Sequence, residues 1–227
     1  MSTHPDRRDA LKQLAGGALA LASVACATGG AAGSTAAPAP SPTTSQFDMS
    51  WQQKVNKRRR MAFDTNEVQG GAGLSFVAAY LSGVRQAYGE PDASTVLVHR
   101  HASVQIVLGD EIWRRLGLGE SLKLKDPTTG ETAQRNPFLT WKEGDRYTMT
   151  GRNATLETIM KNGTIILACN VALSGYAGML ATKEKIDREQ AKKEVLASVV
   201  PGVYIVPNGI FGVCAAQEVG CGVITVR

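Results

Sequence analysis

Histidine, cysteine and aromatic residues are all scarce in this chain, and the shortage removes whole classes of chemistry. Three histidines and four cysteines are spread over 227 residues. No Cys-x-x-Cys or Cys-x-x-Cys-His occurs, which excludes a thioredoxin-type dithiol and a c-type haem attachment. The remaining His and Cys spacings match no common zinc finger. A Walker loop, a Rossmann glycine fingerprint and a Gly-x-Ser-x-Gly elbow are absent too, so the sequence implies no cofactor. Aromatics make up 6% of the chain, and none interrupts its most basic run, Lys54-Val-Asn-Lys57-Arg58-Arg59-Arg60. Lacking stacking side chains and a recognition motif, that run reads as a solvated lead-in to a strand, not as a nucleic-acid surface.

The N-terminus holds more information. Asp6-Arg7-Arg8-Asp9-Ala10-Leu11-Lys12 precedes a weakly apolar stretch from Gln13 to Ala25, too short to stay in a bilayer as a helix. Residues 1–27 resemble a twin-arginine export signal, although Ala10 stands where a phenylalanine-like residue is usual. Cleavage would follow Ala25 or Ala27; alternatively Cys26 would be acylated and become a lipid anchor. Residues 28–50 are mostly Ala, Pro, Ser, Thr and Gly and read as a flexible tether. A periplasmic location is the expectation, free or held at a membrane surface. That leaves one domain, residues 51–227, with Cys169, Cys214 and Cys221. Three is an odd number for an oxidising compartment, where structural cysteines pair.

Along the domain, short apolar runs alternate with amphipathic stretches. Strands are expected at 58–63, 94–99, 164–168, 201–206 and 222–226, and helices at 74–88, 104–116, 152–161, 183–199 and 208–219. Residues 119–150 are polar and broken by "DPTTGE" and "RNPF", and read as a loop or flap. Strand–helix alternation predicts a three-layer α/β fold with a mainly parallel five-stranded sheet.

The segments "GTIILACNVAL", "PGVYIVPNGIFGVCAAQEVGCGVITV" and "VLVHRHASVQIVLGDEIW" resemble the DsrE/DsrF-like (YchN-like) family of sulfur-relay proteins. In that family a strand ends in a cysteine near a helix start, and a Val-Pro-x-Gly turn feeds a helix carrying a glutamine. Cys169, Val206-Pro207-Asn208-Gly209 and Gln217 stand at those places. The resemblance covers roughly residues 57–227 and is loose through the 119–150 excursion. It implies a flavodoxin-like strand order, a trimer or hexamer, and a sulfur donor or acceptor protein as partner. With that order, Cys169 and the loop from Asp64 to Gly71 would face each other across the topological switch point.

The candidate site is built around Cys169. A thiol reacts as its thiolate, and a helix start after Cys169 would favour that form, fit for carrying a persulfide or exchanging disulfides. The competing reading is a buried core residue following Ile-Ile-Leu-Ala. His101 would act as base beside it. His99 and His101, two apart on an extended backbone, would point to one face with Arg100 opposite, and offer a soft-metal pair in the alternative reading of a non-enzymatic binding or assembly module. Asp64, Asn66, Asn170 and Asn208 are candidate ligand-binding residues; Asp64 and Asn66 would otherwise cap the first helix. Cys214 shares a helical stripe with Ile210, Val213 and Gln217 and is expected in the core. It lies about 10 Å along a helix from Cys221, beyond disulfide reach, so Cys169 is its better pairing candidate.

Overall fold

Successive residues of each strand belong to two different cores. The computed structural model describes residues 46–90, 92–146 and 150–227; the readings of residues 1–45 as signal, anchor site and tether lie outside the described residues. Five strands are formed: β1 (Arg59–Thr65), β2 (Ala93–His99), β3 (Ile165–Cys169), β4 (Tyr204–Val206) and β5 (Gly222–Val226). Phe63, Leu97 and Ile166 pack on one face of the sheet, and Ala62, Val96, Val98, Ile165 and Leu167 on the other. This is the two-residue period of a strand covered on both sides. All four strand pairs are parallel, so the fold is a three-layer α/β structure around a five-stranded parallel sheet.

The strand order is β4-β3-β2-β1-β5, not the flavodoxin-like order. Helix α1 (Ala72–Tyr88) links β1 to β2, and α2 (Asp110–Leu116), α3 (Leu118–Ser121) and α4 (Leu156–Lys161) precede β3. Helices α5 (Asn170–Glu184) and α6 (Arg188–Ala197) lead to β4, and α7 (Gly209–Glu218) returns to β5. From β1 to β4 the chain steps in one direction, and right-handed crossovers then place every linking helix on one face. The last step reverses direction across the whole sheet. Accordingly α7 packs on the opposite face, where Ala215 and Ala216 meet Trp51 from the 3-10 turn Ser50–Lys54. The strand order departs from the flavodoxin-like one at β3, which pairs with β2 instead of β1, and β5 then takes the outer edge of β1; no local pattern specifies either choice.

Several local expectations need revision. The helix expected at 104–116 is two pieces, a 3-10 segment His101–Val107 and α2, separated at Leu108-Gly109. The break has a tertiary cause: Leu108 bridges to Val199, and Gly109 N–H donates to Ser198 O at 2.8 Å. The residues after Cys169 form the helix α5 itself, and the charged helix is shorter than expected, beginning only at Arg188. Gly117, in the left-handed region at φ 71°, ends α2 as anticipated.

The 119–150 excursion is less polar inside than its composition suggests. Phe138 is fully buried and makes an edge contact with Trp113 at 6.2 Å between ring centroids. Asn136, kept out of helical geometry by Pro137, is also buried. Its Nδ2 donates to Ile106 O and Leu108 O at 2.9 and 2.8 Å, and lies 3.3 Å from Gln105 O. The polar residues satisfy one another: Arg135 pairs with Asp126 at 2.7 Å and with Asp145. The basic run is likewise engaged, with Arg59 stacked 3.5 Å over Tyr88 and Arg60 donating to Val219 O at 2.8 Å. Among the described residues no helix is long and apolar enough to cross a membrane.

Candidate functional site

The carboxyl ends of the strands form one rim, because the parallel register aligns Thr65 with His99, His99 with Ala168, and Cys169 with Val206. The helices after β3 and β4 leave toward opposite faces, so the switch point lies between these two strands. Cys169 stands at it. The loop after β1 does not face Cys169 directly, as the flavodoxin-like order would have required, because β2 lies between.

Cys169 is the N-cap of α5, and its Sγ accepts the Ala172 N–H at 3.4 Å. The residue is 6% exposed, yet it is not sealed in the aliphatic layer. It forms part of the wall of a cavity of about 440 Å³ together with His101, Ala102, Val171, Ala172, Gly175, Tyr176 and Met179. His101 and Cys169 are therefore brought to one cavity, as expected. Helical geometry explains the rest of the wall, since Ala172, Tyr176 and Met179 recur at three- and four-residue spacing along α5.

The two histidines part company. His99 ends β2 and is completely buried; its Nδ1 lies 3.2 Å from Thr65 Oγ1. That hydroxyl also has Val98 O at 2.8 Å and Ser103 Oγ at 3.1 Å as acceptors, and His99 Nε2 is left buried without a partner. Burial pushes His99 down to about 3, which keeps it neutral. His101 instead adopts φ 54°, and its side chain is 78% exposed, 3.8 Å from Glu67. The expected shared face required extended backbone through both residues; the left-handed turn at His101 breaks it. No metal pair forms from them, and no group of three His, Cys, Asp or Glu side chains among the described residues is placed to hold an ion.

Arg100, expected to point away, belongs to the site. Its guanidinium grips Asp64 through two bonds of 2.6 and 2.9 Å, joining the ends of β1 and β2. Those hydrogen bonds are the main reason its basicity is raised, with a smaller electrostatic contribution from Cys169. Asp64 is thus an ion-pair partner and not a helix cap; the N-cap of α1 is Gly71. Asn66 leaves its Oδ1 buried and unpartnered while its backbone carbonyl accepts from Ser103 N–H. Asn208 caps α7, accepting from Phe211 N–H at 2.8 Å. Asn170, the first residue of α5, lies on a different cavity of about 600 Å³ beside β4, which also includes Lys192 and Tyr204 but not Cys169.

Sequence reasoning missed Tyr176, Met179 and Glu67. Reading the residues after Cys169 as helix would have exposed the first two, since Tyr176 lies two turns beyond the cap. Gln105, 6% exposed, donates from Nε2 to Tyr176 Oη at 2.6 Å and leaves its own Oε1 without a partner. Cys214 is exposed, contrary to its expected place in the core, and Cys221 is buried; all three described cysteines are free.

No family model matches the chain, and no curated protein matches it. Among solved structures it is similar to MTH1491 from Methanobacterium thermoautotrophicum, a protein of unknown function. The TM-score is 0.39 at 12% identity, over 74% of this chain and 99% of that one.

Proposed function

We propose that this chain is an exported, DsrE-like thiol protein that carries sulfur on Cys169 as a persulfide. The observation that carries the reading is the position of Sγ: it caps a 15-residue helix and borders a cavity shared with His101 and Tyr176. Helix N-terminal N–H groups stabilise an anionic sulfur, and the cavity gives a reactant access to it. His101, exposed beside the cavity, is the group that takes the thiol proton. Residues 1–27 would direct the folded protein to the periplasm, and it would work as a trimer or hexamer with a sulfur-donor or acceptor protein.

Iodoacetamide mass mapping of the native protein tests the central step. Cys214 is exposed and should label. Cys221, buried and with its thiol pushed up by desolvation, should not. Cys169 is expected to label at a rate close to that of Cys214, roughly tenfold or more above Cys221. Labelling of Cys169 only after denaturation would reduce it to a packing residue. Light scattering on the purified chain checks the oligomer; a monomer at micromolar concentration would remove that part of the proposal.

A further inference from the structure

The cavity at Cys169 also has a chemical character, and it restricts what can deliver sulfur there. We infer that the donor is a small persulfide, R–S–SH, whose body is uncharged and apolar, and not an anionic one of the glutathione type. This inference rests on the persulfide reading of Cys169 given above.

Three observations support it. First, apart from Cys169 and His101, the wall consists of Ala102, Val171, Ala172, Gly175, Tyr176 and Met179, none of which carries a charge. Val171 and Met179 are 64% and 54% exposed, so the approach to the cavity is apolar as well. Second, the charges nearby do not favour an anion. Arg100, whose basicity Cys169 raises slightly, is committed to Asp64 through two hydrogen bonds. Glu67 stands beside His101 and adds to the negative potential felt by Tyr176. A carboxylate-bearing donor would meet Glu67, while Lys183, the cation of the adjoining cavity, is not part of the wall around Cys169. Third, the cavity offers one positioned hydroxyl. Tyr176 Oη accepts from the buried Gln105 at 2.6 Å, which fixes the phenol and leaves its own proton to donate. At about 440 Å³ the space suits a small molecule.

The transfer is redox-neutral and balanced. The Cys169 thiolate, its proton taken by His101, attacks the outer sulfur of R–S–SH. A new S–S bond forms to Cys169 as the R–S to SH bond breaks, and the electron pair leaves on R–S⁻. Tyr176 Oη–H hydrogen-bonds this sulfur as charge develops, and R–S⁻ takes up the proton that Cys169 gave away. The products are Cys169–S–SH and R–SH.

The experiment follows sulfur gain on Cys169 by peptide mass spectrometry, using the full chain with n-butyl persulfide or glutathione persulfide. Each rate is divided by that of a free cysteine peptide to remove intrinsic reactivity. The expected result is a preference of roughly tenfold or more for the butyl donor. E67Q should raise the ratio of the glutathione rate to the butyl rate several-fold, whatever it does to the proton transfer common to both. Gly175→Leu is a separate check: a Cβ there meets nothing within 4 Å, so the variant should fold, while its side chain fills the cavity and removes the preference. Equal normalised rates for both donors, with Cys169 still accepting sulfur, would overturn this inference and leave the carrier reading intact. Failure of Cys169 to accept sulfur from either donor would overturn both.

Discussion

His99 illustrates how a single residue can set the pH response of the molecule. It is fully buried, neutral, and held below its ordinary value by desolvation. The unfolded chain therefore binds the proton first. Stability contributed by keeping this ring neutral is present above about pH 6.5 and is lost as pH falls toward about 3. The slope is on the order of 1 kcal/mol per pH unit inside that window. The carboxylates with depressed values, such as Asp126 and Asp145, add their own loss only at the acid end. Urea midpoints between about pH 7 and 4 should decline accordingly, and His99→Gln should flatten the upper part of the curve. An unchanged slope in the variant would assign the acid sensitivity elsewhere.

Asn136 is a second residue with a structural task. It supplies donors to the carbonyls exposed where the 3-10 segment gives way to α2, and its Oδ1 accepts from Phe138 N–H at 3.1 Å. Asn136→Ala leaves those buried groups unpaired, each at a cost of roughly 1–3 kcal/mol. A loss of about 3 kcal/mol or more is expected by chemical denaturation. A loss below about 1 kcal/mol would mean that the carbonyls find other partners.

Among the elements, glycines separate close approach from mere flexibility. Gly119 in α3 lies against the backbone of the excursion, where an added Cβ would stand 1.9 Å from Ala133 O. Gly209 at the start of α7 lies against the stem of Arg100, with a Cβ-to-Cβ distance of 2.3 Å. Gly175 in α5 has open space. The three alanine substitutions should therefore rank clearly in thermal denaturation. Gly175→Ala should stabilise by roughly 0.5–1 kcal/mol through helix propensity. Gly209→Ala should cost about 1–3 kcal/mol and shift Arg100. Gly119→Ala should cost more, because the overlap is deeper and every atom it meets belongs to the Ala133 backbone. A different order would show that the packing of α3 against Ala133 relaxes easily.

Across the whole molecule, the sheet is completed by its last strand. β5 pairs with β1 from Met61 to Thr65, and α7 reaches it by crossing the sheet from β4. Truncation after Gly220 would strip β1 of that ladder and remove Cys221 and Val226 from the two cores. The shortened chain is expected to lose its cooperative unfolding transition, read by circular dichroism, and to aggregate through the exposed edge of β1. A truncated chain that melts as sharply as the full one would show that β5 is peripheral.

Much of this was legible in the residues. Alternation of apolar runs with helical periods determined a parallel α/β sheet, and Cys169 at the end of a strand placed the thiol on the rim. Gly117 and Asn208 marked helix ends through local backbone chemistry, which needs no distant partner. What remained was nonlocal. Strand order depends on the edges that β3 and β5 choose, contacts between segments about 70 and about 160 residues apart. The separation of His99 from His101 depends on a left-handed turn that serine, arginine and threonine neighbours hold in place, and periodicity assumes regular backbone there. The excursion looked polar because composition does not reveal that Phe138 is buried and that Arg135 is paired with Asp126 and Asp145. Sequence thus decided which elements form and where the sulfur sits along the chain. Tertiary structure alone decided which side chains surround that sulfur, because the cavity is made by the turn after β2 and by α5, surfaces that meet only once β2 and β3 pair.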